Sequence, residues 1–72
     1  MIIDKLVRMT NQIATNFAYL PKPEQSALRV ADHLQRFWDP IMRAEIIEHL
    51  KTGGAGLSPI SRLAIGKMAL PS

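Results

Sequence analysis

Apolar residues recur at helical spacing through most of the chain. From residue 4 to about 19, Leu6, Met9, Ile13 and Phe17 mark one face with Ala14 and Ala18 on its flank, while Lys5, Arg8, Asn11, Gln12, Thr15 and Asn16 are polar. Asp4 is placed to cap this helix, and Pro21 and Pro23, two prolines in three residues, end it. The second pattern, about 23 to 38, has the cleanest period: Ala27, Val30, Ala31, Leu34, Phe37 and Trp38. Pro23 suits its first position, and Glu24 complements the helix dipole. Asp32 and Arg36 are i, i+4 partners on its outer face, a solvated pair.

Asp39-Pro40 then makes a tight corner. Proline disfavours α geometry in the residue before it but fits a first helical turn, so Asp39 becomes the N-cap of a third helix, about 40 to 51. That helix carries Met42, Ile46, Ile47 and Leu50 on one broad side, with Ile41 near the corner. Gly53-Gly54 ends it, and Ser58-Pro59 repeats the cap-then-proline device after a Gly-rich loop. The fourth helix, about 59 to 68, presents Ile60, Leu63, Ala64 and Met68 and stops before Leu70-Pro71. Gly66 inside it costs about 1 kcal/mol relative to Ala. With no strand or hairpin signal, the fold class is all-α: a small bundle of three to four short helices, forming a single domain over residues 1–72. The expected core is the corner between the second and third helices, where Val30, Leu34, Phe37 and Met42 pack with Ile13 and Phe17.

Length sharpens this picture. A chain of 72 residues has one core, which at that size supplies no more than about 3–5 kcal/mol without a staple. There is no Cys, hence no disulfide and no thiolate metal site, yet 47% of the residues are apolar. That excess of apolar surface points to another protein as the missing support. No signal peptide and no membrane span is visible, so a soluble protein of a reducing cytoplasm is expected.

The charge is +3, from 9 basic and 6 acidic residues. The signs are interleaved until Glu48, after which Lys51, Arg62 and Lys67 meet no acidic side chain. The C-terminal third is therefore a candidate docking segment.

Candidate chemistry is sparse. His33 and His49 fall on different helices and form no metal-binding pattern with a carboxylate, so both are read as surface or rim residues. Gly53-Gly54-Ala55-Gly56 lacks the following Lys and Ser or Thr of a phosphate loop, which leaves helix termination as the better account. A DNA-binding or regulatory module is the alternative for a small basic helical protein. Glu45 and Glu48 on the third helix would repel phosphates and weigh against it. No catalytic, cofactor-binding or metal-binding residue is assigned. The expected partner-binding set is Arg36, Trp38, Arg43, Gly54, Gly56, Leu57 and Ile60. Trp and Arg are enriched among interface hot spots, and a Gly-rich loop exposes backbone to a close approach.

Three stretches together carry a family resemblance. They are Ile3-Asp4-Lys5-Leu6-Val7 with Met9-Thr10-Asn11-Gln12-Ile13, Arg36-Phe37-Trp38-Asp39-Pro40-Ile41-Met42-Arg43, and Gly53-Gly54-Ala55-Gly56-Leu57-Ser58-Pro59-Ile60. Over nearly its whole length the chain resembles the delta subunit of NAD-dependent formate dehydrogenases. The resemblance implies a non-catalytic accessory subunit of a cytoplasmic molybdenum or tungsten enzyme that oxidises formate and reduces NAD. It implies partners too: a large catalytic subunit with bis-molybdopterin guanine dinucleotide and iron–sulfur clusters, and flavin and iron–sulfur subunits that carry electrons to FMN and NAD. No cofactor ligand is carried over to this Cys-free chain. Assistance with cofactor insertion, assembly or stability of the complex is the implied role.

Overall fold

The computed structural model describes residues 2–69, and they form four helices: α1 Ile2–Asn16, α2 Pro23–Phe37, α3 Pro40–Lys51 and α4 Pro59–Ala69. The fold is an all-α bundle, with no strand among the described residues. The helix stop expected at Leu70-Pro71 lies outside them. No described helix is long and apolar enough to cross a membrane.

α2 and α4 make the broadest helix–helix contact, and α1 packs against all three other helices. The stripes of α2 and α4 bury alanines, Ala27, Ala31 and Ala64. Such short side chains let helix axes approach closely. Around them lie Val30, Leu34, Ile46 and Ile65, all fully buried, with Ile13, Phe17, Met42 and Leu50 packed at the margin.

Several sequence expectations need correction. Asp4 is not the N-cap of α1: Ile2 and Ile3 are already helical, and Ile3 packs on the core. The same helix ends three residues early, because Phe17 N–H bridges the Ile13 and Ala14 carbonyls and Ala18 N–H turns back to Thr15, winding the chain into a tight turn. Ser26 then donates its hydroxyl to the Phe17 carbonyl at 2.7 Å, tying the start of α2 to the end of α1.

The buried face of α1 is also rotated from the expected one. Leu6, Val7, Thr10 and Ala14 face inward and Met9 is exposed. Thr10 can be buried because its hydroxyl donates to the Leu6 carbonyl at 2.8 Å. α4 is rotated likewise: Ser61, Ala64, Ile65 and Met68 are buried and Leu63 is exposed.

The largest correction concerns the two aromatics at the corner. Phe37, expected in the core, is 71% exposed and lies tilted against His33 with ring centroids 4.7 Å apart, whereas Trp38 is only 5% exposed and belongs to the core cluster. The cause is local. Trp38 is the C-cap of α2 and has left helical geometry, at φ −91° and ψ 140°. From that extended conformation its indole enters the core, and Phe37, the last helical residue, is left outside.

Candidate functional site

The segment from Gly53 to Ser58 is the most heavily hydrogen-bonded part of the surface. It begins as the terminus of α3. Gly53 N–H donates to the Leu50 carbonyl at 3.1 Å and Gly54 N–H to the His49 carbonyl at 2.8 Å, with positive φ at both glycines. This pair of bonds is a Schellman closure, which needs left-handed backbone just past the helix end.

The loop carbonyls are then taken up one after another by side chains of three helices. The Gly54 carbonyl accepts from Arg62 Nη2 at 2.9 Å and also from Leu57 N–H at 3.1 Å. Ala55 O lies 2.8 Å from His49 Nε2 and, being only an acceptor, fixes the proton on that nitrogen. Asn11 Nδ2 donates to the Gly56 carbonyl at 2.8 Å, and Arg62 Nε reaches the Leu57 carbonyl at 3.4 Å. Asn11 uses its other end as well: Oδ1 accepts the Ser58 N–H at 3.0 Å and the Ser61 hydroxyl at 2.8 Å. Ser58 closes the arrangement by accepting Ser61 N–H as the N-cap of α4.

The glycines fit this tight closure. A Cβ on Gly54 would stand 3.1 Å from Arg62 Nη1 and 3.2 Å from Leu50 Cδ1. One on Gly56 would stand 3.3 Å from Val7 Cγ1. The loop is thus a fixed shape, and its carbonyls from Gly54 to Leu57 are already satisfied within the chain. That differs from the expectation of backbone left open to a partner.

The corner between α2 and α3 is braced in a similar way. The Asp39 carboxylate accepts Met42 N–H at 2.8 Å, as an N-cap should. Arg43 donates to the carbonyls of Trp38 at 2.6 Å and Gln35 at 3.1 Å, capping the C-terminus of α2 with a cation where the helix dipole favours one. Arg36 remains at the surface, paired with Asp32 at 3.1 Å.

The seven residues expected to bind a partner therefore occupy different environments. Arg36 and Gly56 are exposed, Arg43 and Ile60 are half-buried, and Trp38, Gly54 and Leu57 are buried. Ile60 sits beside Ala14, Ala18 and Pro59 in a shallow apolar groove between α1 and α4. What the corner offers to solvent is Phe37 and Ile41, each 71% exposed. Sequence reading missed Asn11 and His49 as organisers of the loop. The Asn11 partners lie 45 to 50 residues away along the chain, beyond any local signal.

Among the described residues no group of three or more His, Asp or Glu side chains could hold a metal ion. The arrangement defines a helical protein whose convergent polar groups fix a loop and two helix ends. The profile of the family described as NADH-dependent formate dehydrogenase delta subunit, FdsD, matches residues 5–65. The chain belongs to that family of formate dehydrogenase subunits. No curated protein and no solved structure matches it.

Proposed function

We infer that this chain is a non-catalytic accessory subunit that docks on the large catalytic subunit of a cytoplasmic formate dehydrogenase and supports its assembly, cofactor loading or stability. In this reading the molybdopterin, iron–sulfur and flavin groups all belong to the partner subunits. The main support is the pair Phe37 and Ile41, four residues apart across the Asp39-Pro40 connection and each 71% exposed. Large apolar groups held in solvent by a rigid corner are what an interface hot spot requires. Arg36 adjoins this surface, and Ile60, in its groove between α1 and α4, is a separate apolar contact. Trp38 and Arg43 hold the corner, and Gly54, Gly56 and Leu57 fix the loop before α4, through the bonds and close approaches described above.

The test is Phe37→Ser with Ile41→Ser, co-expressed with the other subunits. The isolated double variant keeps its helical circular dichroism. Its association with the large subunit weakens by about 2 kcal/mol or more, and the large subunit's formate:NAD activity and metal content fall with it. Unchanged association of the folded double variant would refute the docking surface.

A further inference from the structure

A second surface continues from the corner along α3, where Glu45 stands one turn after Ile41, and is closed on its other side by the N-terminus of α1. It is a groove of about 430 Å³ lined by Ile2, Ile3, Glu45, Glu48, His49 and Thr52. Its floor is apolar, and Ile2 stands 69% exposed. Glu45 and Glu48, i and i+3 on α3, are both exposed, and neither takes part in an ion pair among the described residues. His49 is already held by the Ala55 carbonyl, which leaves these two carboxylates as the acidic groups among the lining residues.

We propose that this groove is a second docking site, occupied by a segment of the partner subunit in which apolar side chains are flanked by Lys or Arg. The commitment to a basic occupant follows from desolvation. Any chain that covers Ile2 and Ile3 also removes water from Glu45 and Glu48, and a carboxylate stripped of water without a cation beside it opposes association. An apolar or acidic segment meets that penalty in full, whereas a segment carrying Lys or Arg compensates it. The net charge of +3 makes the acidity of this groove local.

This proposal rests on the docking reading above, and its test separates the two. Glu45→Lys with Glu48→Lys is compared with Phe37→Ser with Ile41→Ser, each in the full chain co-expressed with the other subunits, and retention is measured as salt is raised. Because the chain has no Cys, Thr52→Cys provides a unique anchor for a thiol-to-amine crosslinker that maps the neighbouring partner segment. The expected result is a tenfold or greater loss of retention on charge reversal, a shallower salt dependence for the reversed variant, and crosslinks confined to lysines within an apolar stretch. Full retention after charge reversal, with retention lost in the corner variant, overturns the groove and leaves the docking reading standing. Full retention in both overturns the two together. Crosslinks falling outside any basic apolar stretch overturn the stated occupant.

Discussion

Replacing Trp38 by Ala tests the organisation of the bundle most directly. The indole is 5% exposed, so nearly its whole apolar surface is removed from water on folding. A buried aromatic of about 150–250 Å² at about 25 cal/mol per Å² is worth about 4–6 kcal/mol. Measured Trp→Ala losses of about 3–5 kcal/mol reflect incomplete removal and partial collapse of the site. A single core at this length supplies about 3–5 kcal/mol in total. Trp38→Ala is therefore expected to leave the isolated chain mostly unfolded at 25 °C, while its carbonyl bond to Arg43, a backbone contact, is not what is lost. Phe37→Ala, one residue earlier, removes an exposed ring whose neighbour is His33 and should cost less than about 1 kcal/mol. Urea unfolding followed by circular dichroism measures both. In the wild type, Trp38 is the only Trp, so its fluorescence reports burial of this one site. A Trp38→Ala chain that unfolds within about 0.5 kcal/mol of wild type, or a Phe37→Ala chain that does not fold, would refute the assignment of the two aromatics.

Asn11→Ala removes three bonds to the loop and α4 and leaves Gly56 O and Ser58 N–H without their partner, an expected loss of about 2–3 kcal/mol. Faster amide exchange at Ser58 would accompany it, and unchanged exchange would show that the loop holds its shape without Asn11. Gly54→Ala should destabilise by about 1–2 kcal/mol, since its φ of +65° and its contacts with Arg62 and Leu50 oppose a side chain. Gly66→Ala should stabilise by about 0.5–1 kcal/mol, because it lies within α4 and a Cβ there meets nothing within 4 Å. Thermal melts of the two Gly variants should move in opposite directions. Asp39→Ala should cost about 1 kcal/mol through loss of the cap on Met42 N–H, and Asp39→Asn should restore most of it.

The parts of the fold legible in the sequence are those fixed by neighbours in the chain. The stripe of α2 and the caps at Asp39 and Ser58 need only a few consecutive residues and a proline to be recognised. The choice between Phe37 and Trp38 was not legible in that way, because both lie on the same helical face. Which one enters the core depends on the single residue at which α2 ends. The rotations of α1 and α4 have another origin: Thr10 and Ser61 count as polar in any hydropathy pattern, yet each is buried with its hydroxyl satisfied. Once they turn inward, Met9 and Leu63 turn outward. At the candidate site, Arg36 is exposed and Ile60 half-buried, while Arg43 and Trp38 brace the corner from within. The loop network was invisible because its organising side chains belong to distant turns of the chain.

The Asn11 node also orders events in time. It joins a residue in the first quarter of the chain to the backbone of residues 56 and 58 and the hydroxyl of Ser61. The helix with the broadest contact to α2 is α4, which follows both α1 and α3 along the chain. Closing such distant ends carries a loop entropy that local contacts do not offset until both are present. During synthesis, α1 and α2 thus emerge with their apolar stripes uncovered until α4 follows.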